Sequence, residues 1–328
     1  MHFDVFNGDA DGICALHQLR LAAPMAARLV TGPKHDIGLL SRVAAHRGDT
    51  VTVLDISLDT NRAALLALLE RGVEVEYFDH HFAGAIPSHR ALVAHIDPAP
   101  DVCTSMLVDR HLSGRHRLWA IVAAFGDNLA SAALGLAQSC GLSVAQAAQL
   151  RELGESMNHN AYGDTEADLI VPPAALYAAL RPYSSPFDFI AAEPLVSALS
   201  DARRADIETA RKWPPATVMP CGTLHILPDA RWARRVRGTL ANELANAAPN
   251  LAHAVLTTDA RGDYAVSVRA PLAAPHGADR LCQAFAGGGR VAAAAIDVLA
   301  HDRLDEFKRA FERAFCAAGC PTPKQDAP

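Results

Sequence analysis

The first half of the chain alternates short apolar runs with stretches of helical periodicity, which is typical of βαβ units and a parallel sheet. The apolar runs predict four strands, at 2–6, 27–30, 50–56 and 73–78. The stretches between them predict helices at 13–22, 41–46 and 60–71. From 102 to 138 the chain is rich in Ala, Leu and Val at helical spacing, which predicts two or three helices covering the sheet.

Prolines punctuate the chain between about residues 155 and 220, around one helix predicted at 195–212. Further on, the pattern predicts strands and helices again: strands at 223–227, 254–258 and 264–269, a helix at 239–247, and an apolar helix opened by Gly287, Gly288 and Gly289 and ending near Leu299.

The predicted fold class is therefore α/β. An N-terminal parallel-sheet domain is joined by a helical, proline-rich connector to a smaller α/β domain. We place the N-terminal domain at 1–190, the connector at 191–220, the smaller domain at 221–320 and a disordered tail at 321–328.

Composition narrows the classes of partner. A net charge of −6 gives no overall attraction for long duplex DNA. No apolar run approaches the ~20 residues that cross a bilayer, so no membrane partner is expected. The seven cysteines form an odd set without a C-x-x-C pair, which predicts neither a disulfide framework nor a zinc site. A cytoplasmic location fits best.

Acidic residues and histidines follow three of the predicted strands. They are Asp9 and Asp11 after the first strand, Asp55 near the end of the third, and Asp79, His80 and His81 at the end of the fourth. Because ligands bind at the carboxyl ends of parallel strands, we expect these side chains in one crevice. Asp127, after an apolar helical segment, is a further contributor.

Each aspartate taken alone also has a structural interpretation, with Asp11 and Asp127 as helix caps and Asp55 as a turn residue. Together, however, carboxylates in one crevice raise one another's pKa and cost stability unless cations compensate. Oxygen ligands with one imidazole suit Mn²⁺ or Mg²⁺. The sequence therefore predicts two divalent metal ions, with Mn²⁺ preferred over Mg²⁺.

These motifs resemble the DHH phosphoesterase superfamily. The segment NGDADGICA, Asp55 in TVTVLDI, the triplet Asp79-His80-His81 and Gly126-Asp127 match its four N-terminal motifs in order, and the segments SVRAP and FAGGGRVAAAA look like its DHHA1 domain. The superfamily includes RecJ-type exonucleases, enzymes that degrade very short RNAs, and cyclic-dinucleotide phosphodiesterases. The resemblance implies a two-metal active site in the cleft between the domains.

The resemblance also implies a role for each matching residue. Asp9 would ligate one ion, Asp11 the other, and Asp55 would bridge the two ions. His80 and Asp127 would complete the coordination of the second ion, and His81 would face the substrate phosphate. Asp79 and Asn7 would support the ligands without binding an ion, with Asp79 orienting His80. Val5 stands where many relatives have a histidine, which implies that the first ion is held loosely.

The second domain is expected to bind the substrate. Alternation along 264–269 puts Ser267 and Arg269 on one face, where both can reach a ligand. The run Gly287–Gly289 offers backbone N–H groups to a phosphate, with a plain helix-start loop as the alternative. Arg290 stands where the family commonly has a histidine, and arginine can bind phosphate bidentately.

Two other segments keep two interpretations each. The segment 158–163, NHNAYG, lines the cleft or forms a capped loop. The arginines 231, 234, 235 and 237 contact a nucleic-acid backbone or are exposed helix charge.

The predicted function is hydrolysis of phosphodiester or terminal phosphate bonds in a short nucleotide substrate: a short oligoribonucleotide, a linear dinucleotide or a phosphorylated adenosine nucleotide. With 6% aromatic residues, a long stacking platform for single strands is not supported, which favours a short substrate over a processive exonuclease. The alternatives are hydrolysis of inorganic pyrophosphate or polyphosphate, and nucleotide binding with little turnover. Whether the chain forms a homodimer stays open.

Overall fold

The computed structural model describes residues 1–316. The chain divides into two compact units between Arg203 and Arg204, a position inside the predicted connector 191–220. The tail predicted at 321–328 lies outside the described residues. Within residues 1–316, no helix combines the length and the apolar character needed to span a membrane.

A five-stranded parallel sheet forms the centre of the first unit. Its strands are β1 (His2–Phe6), β2 (Arg28–Val30), β3 (Thr50–Leu54), β4 (Glu74–Asp79) and β5 (Leu92–Ile96), in the order β2-β1-β3-β4-β5. The first four lie where the apolar runs predict them. The sequence pattern missed β5, a partly exposed edge strand, and the helix expected at 41–46 is only a 3₁₀ turn, Leu39–Arg42.

Helices cover both faces of this sheet. The helices up to residue 211 are α1 (Ala10–Ala22), α2 (Leu58–Glu70), α3 (Thr104–His111), α4 (Arg117–Gly126), α5 (Ala130–Ser139), α6 (Val144–Ala161), α7 (Pro173–Leu180), α8 (Pro186–Ala192) and α9 (Pro194–Arg211), the last of which spans the division between the units. Along β1, Phe6 packs into the core that contains α1 and α4, whereas Phe3 and Val5 pack into the core that contains α2. Burial on both faces explains why the strands read as nearly continuous apolar runs.

The second unit is built on a mixed six-stranded sheet in the order β10-β11-β9-β8-β7-β6. Its strands are β6 (Thr217–Met219), β7 (Gly222–Leu227), β8 (Ala252–Thr258), β9 (Tyr264–Arg269), β10 (Gly288–Arg290) and β11 (Ala293–Leu299), and its helices are α10 (Arg231–Ala247), α11 (Ala278–Gln283) and α12 (Leu304–Phe315). Strands β7 and β8 pair in parallel, and the other neighbours pair antiparallel.

The glycine run 287–289 enters a β-hairpin, so the helix predicted after it is wrong. Strand β11 pairs with β10 on one side and with β9 on the other. Ala294 and Ile296 are buried while Ala295 and Asp297 are exposed, which is the two-residue period of a strand. A run of alanines has no periodicity of its own, so pairing with β9 decides its conformation.

Two cysteines of the second unit are bonded. Cys221 and Cys316 form a disulfide, with their Cα atoms 4.8 Å apart. The expectation of no disulfide is therefore wrong. Because 95 residues separate this pair, no short spacing in the sequence could reveal it.

Candidate metal centre

The topology of the first sheet creates an opening at its carboxyl edge. From β1 the chain crosses to β2 on one side, whereas β3, β4 and β5 lie on the other side. This reversal leaves the ends of β1 and β3 uncovered, and such a switch point is where ligands bind in open α/β sheets. Asp9 follows β1, Asp55 follows β3, and His80 follows β4, so all three residues lie at the same edge of the sheet.

The ring of His80 lies among three carboxylates. Its Nε2 is 3.4 Å from Oδ1 of Asp55, 3.7 Å from Oδ2 of Asp127 and 4.0 Å from Oδ2 of Asp11. Its Nδ1 donates a hydrogen bond to the carbonyl oxygen of Val102 at 2.8 Å. This bond holds the proton on Nδ1 and leaves Nε2 as the nitrogen that can bind a cation.

Asp79 contacts His81 and not His80. Its Oδ1 accepts hydrogen bonds from the ring Nδ1 of His81 at 2.7 Å and from the His81 backbone N–H at 3.2 Å. The prediction that Asp79 orients His80 is therefore wrong, since Val102 has that role. Burial opposes a charge on His81, but the bond to Asp79 outweighs burial and raises the pKa of His81.

Asp9 and Asp11 each join a helix N-terminus to the cluster. Asp9 caps α1 by accepting the backbone N–H groups of Asp11 and Gly12 at 2.9 and 3.1 Å. Asp11 accepts the N–H groups of Thr104 and Ser105, both at 2.7 Å, at the start of α3. The interpretation of Asp11 as the cap of the helix that follows it is therefore wrong, since Asp9 caps α1 and Asp11 binds the start of α3. Burial is the largest cause of the raised pKa of Asp11.

Asp55 is the most crowded carboxylate of the cluster. Burial raises its pKa well above the ordinary value, and the charges of Asp11, Asp9 and Asp127 act in the same direction. Its backbone has φ 59°, a left-handed conformation that non-glycine residues seldom adopt outside functional sites. Asp127 ends α4 and does not cap the next helix. Crowded carboxylates around one imidazole fit the oxygen-rich coordination of Mn²⁺ or Mg²⁺.

Lys34, which the sequence analysis missed, places an ammonium group in this cluster. Its Nζ donates to Oδ2 of Asp9 and, at 3.2 Å each, to Oδ1 of Asp127 and Oδ1 of Asn158. A signal was present in the sequence: Lys34 follows β2, and every strand of a parallel sheet delivers its next loop to the same edge.

The loop after β1 and the end of α6 support Lys34. Asn7 accepts the N–H of Asp9 at 3.2 Å and donates to the carbonyl oxygen of Lys34 at 3.3 Å. The segment 158–163 comprises the last turn of α6 and the two residues after it, and Asn158 lines the cluster. Of the two interpretations of this segment, the structure favours the one that lines the site.

The residues expected to bind substrate belong to the second unit. Arg269 donates from Nε to Oδ1 of Asn242 on α10 at 2.6 Å, and Ser267 is buried. Arg290 is exposed at the end of β10. Gly287–Gly289 do not precede a helix, so the prediction of a phosphate-binding site at a helix N-terminus is wrong. Substrate binding by these residues stays a prediction.

No protein-family model and no curated protein matches the sequence. Solved structures match its fold. A manganese-bound exonuclease RecJ is 20% identical with a TM-score of 0.64, over 99% of this chain and 92% of that one. RecJ from Thermus thermophilus with Mn²⁺ is 20% identical with a TM-score of 0.58, over 98% of this chain and 52% of that one. It also matches in its complex with Mg²⁺.

The pGpG-specific phosphodiesterase PggH from Vibrio cholerae is 14% identical with a TM-score of 0.58, over 97% of this chain and 100% of that one. At such identities the likeness shows the fold. The chain has the α/β fold of these solved structures, so the predicted fold class is confirmed.

Proposed function

We propose that this chain, which has the fold of the DHH phosphoesterases, hydrolyses phosphodiester or terminal phosphate bonds of a short nucleotide substrate and depends on divalent cations. The observation that carries the proposal is the cluster of carboxylates around Nε2 of His80 at the carboxyl edge of the parallel sheet. It is supported by RecJ structures that hold Mn²⁺ or Mg²⁺ in the same fold.

Asp11, Asp55, His80 and Asp127 are the residues that would hold a divalent ion. Ligand atoms of Asp11, His80 and Asp127 lie within 4.8 Å of one another, and Asp55 is the carboxylate nearest to Nε2 of His80. A cation bound there would lower the pKa of a water molecule and neutralise charge on a phosphoryl group.

His81 would contact the phosphate. Its ligand nitrogen lies within 4.8 Å of the ligand atoms of Asp55 and His80, and its side chain is 45% exposed. Because Nδ1 donates to Asp79, Nε2 carries a proton only in the imidazolium form, which the raised pKa of His81 favours, and in that form Nε2 can donate to an oxygen of the phosphoryl group. A donor fixed in advance stabilises the charge that develops in the transition state.

A short substrate is favoured by two observations. The chain aligns with the full length of a phosphodiesterase described as specific for the dinucleotide pGpG. Its low aromatic content offers little surface for stacking a long single strand. Ser267 and Arg269 are the proposed nucleotide contacts in the second unit, and Arg290 is proposed on its charge alone.

The test is hydrolysis of pGpG, pApA, pAp, short RNA, single-stranded DNA and polyphosphate in Mn²⁺. We expect turnover of the dinucleotides or the shortest RNA, and its loss in chelator. Asp55→Asn should lower the rate by at least about a hundredfold because a ligand is lost. The matched control is Asp188→Asn on α8, where the aspartate is exposed, and it should keep the wild-type rate.

Other outcomes assign other functions. Phosphate release from polyphosphate without dinucleotide cleavage would assign the chain to the polyphosphate-hydrolysing alternative. Tight nucleotide binding without turnover of any substrate would assign a binding protein. Activity of Asp55→Asn in chelated buffer would contradict metal dependence.

A further inference from the structure

We infer that Lys34 takes the place of one of the two cations implied by the DHH resemblance, so that each chain binds one divalent ion beside its own ammonium group. The inference rests on the proposed metal site and concerns how many ions this site holds. It makes Lys34, together with Asn158, part of the ion-binding machinery.

The contacts of Lys34 are those of a bound cation. An ammonium group has three N–H donors. Here it meets three oxygen acceptors, on Asp9, Asp127 and Asn158, from three separate segments of the first unit. The ring of Tyr162 lies 5.9 Å from Nζ and adds a cation–π contact.

The backbone around Lys34 is built into the fold. The N–H of Lys34 donates to the carbonyl oxygen of Ala161 at 2.9 Å, and its own carbonyl accepts from Asn7. A Cβ atom at Gly8 would lie 2.2 Å from the carbonyl oxygen of Gly32, so the two loops pack directly against each other. The backbone of Lys34 is therefore held at the site by both neighbouring loops, and its side chain is only 26% exposed.

The carboxylates divide between the ammonium group and the imidazole. Asp9, the residue expected to ligate the first ion, is the ion-pair partner of Lys34. Asp11 and Asp55 face Nε2 of His80, and Asp127 faces both, with Oδ1 towards Lys34 and Oδ2 towards His80. This division leaves one imidazole-containing set of ligands for a divalent ion.

Electrostatics favours the same division. The ammonium group of Lys34 lies directly beside the carboxylates of Asp9 and Asp127. A second divalent ion at Asp9 would meet the repulsion of this ammonium group. The ammonium group therefore compensates negative charge that would otherwise require another ion.

The experiment counts bound Mn²⁺ per chain by equilibrium dialysis and elemental analysis, without substrate. It compares wild type, Lys34→Met and Lys212→Met. Methionine is unbranched and apolar, so it removes the charge while filling much of the lysine's space. Lys212 is an exposed lysine that pairs with Glu208, so it serves as the matched control. We expect one Mn²⁺ in wild type and Lys212→Met, and two in Lys34→Met.

Electron paramagnetic resonance gives a second readout. Two Mn²⁺ ions in one cluster should give an exchange-coupled spectrum in Lys34→Met, whereas wild type should give the spectrum of an isolated ion. Two ions in wild type would overturn the inference, and so would one ion in both proteins.

Asp9→Asn keeps the inference testable if Lys34→Met fails to fold. Because Asp9 pairs with the ammonium group of Lys34 and is not expected to ligate the divalent ion, this variant should still bind one Mn²⁺ with nearly unchanged affinity. Loss of that ion would show that Asp9 is a ligand and would overturn the inference. Since neither readout uses turnover, an inactive wild type with one ion would refute only the proposed function, and an active one with two ions would refute only the role of Lys34.

Discussion

At the scale of single residues, Asp9 and Asp11 each cap a helix and contribute a carboxylate to the acidic cluster. Each accepts two backbone N–H groups at the start of a helix while lying in the acidic cluster. Alanine at either position would remove a cap as well as a charge, at about 1 kcal/mol for the cap alone. Asparagine keeps an oxygen acceptor, so Asp→Asn variants remove the charge with the least disturbance of the helices.

Asp79→Asn should lower kcat without releasing the metal. Because Asp79 holds His81 and Val102 holds His80, the substitution should reduce kcat by roughly 10–100-fold and leave Mn²⁺ affinity nearly unchanged. Steady-state kinetics and Mn²⁺ titration measure the two effects. His81→Gln should cost a similar factor, and the double variant should cost little more. A marked fall in Mn²⁺ affinity would contradict this arrangement.

At the scale of elements, three helices cross at glycines beside the cluster. A Cβ at Gly154 of α6 would lie 2.1 Å from the carbonyl oxygen of Val122, and a Cβ at Gly126 of α4 would lie 2.5 Å from Cβ of Ala10 in α1. Asp127 directly follows Gly126, and Asn158 lies one turn after Gly154. The close crossing therefore determines how near these two partners of Lys34 come to each other.

Gly154→Ala should destabilise the protein by about 1–3 kcal/mol, because the added methyl group meets backbone atoms that cannot move independently. The matched control is Gly135→Ala on α5, where a Cβ would meet nothing within 4 Å. Since alanine is the better helix former, Gly135→Ala should stabilise by roughly 0.5–1 kcal/mol. Thermal unfolding midpoints that shift in opposite directions would support the crossing, whereas equal shifts would contradict it.

At the scale of the whole molecule, a buried histidine links stability to pH. His17 on α1 packs edge-on against Trp119 at 4.7 Å and donates from Nε2 to the carbonyl oxygen of Tyr183 at 2.8 Å. Burial lowers the pKa of His17 from 6.5 to about 4. The unfolded chain therefore binds this proton more readily than the folded one, so stability is lost as the pH falls.

The contribution of His17 is fully present above pH 6.5 and is lost as the pH falls towards 4. The loss amounts to roughly 3 kcal/mol over this window. His17→Gln, which keeps a donor for Tyr183 and does not titrate, should show a shallower decline. Urea unfolding at several pH values measures this difference. Parallel curves for the two proteins would mean that His17 does not titrate between the two states.

The sequence by itself determined the parallel sheet of the first unit and the edge at which its acidic residues meet. Both depend on local order along the chain: apolar runs form buried strands, and Asp9, Asp55 and His80 each come just after one of them. The pattern was weakest where local signals were weak. The pattern missed the partly exposed strand β5 and assigned a helix to the alanine-rich strand β11. In both segments the sequence lacks the alternation of apolar and polar residues that identifies a strand.

Only the tertiary structure decided which side chains become partners. The pairing of Lys34 with Asp127 and Asn158, of His80 with Val102 and of Cys221 with Cys316 joins residues far apart in sequence, and no spacing encodes it. Such contacts depend on the distances that helix crossings and strand order impose. The loop after β2 lies at the carboxyl edge of the sheet because all strands of a parallel sheet end at the same edge. The lysine of this loop therefore lies beside the negative charges that the neighbouring loops place there.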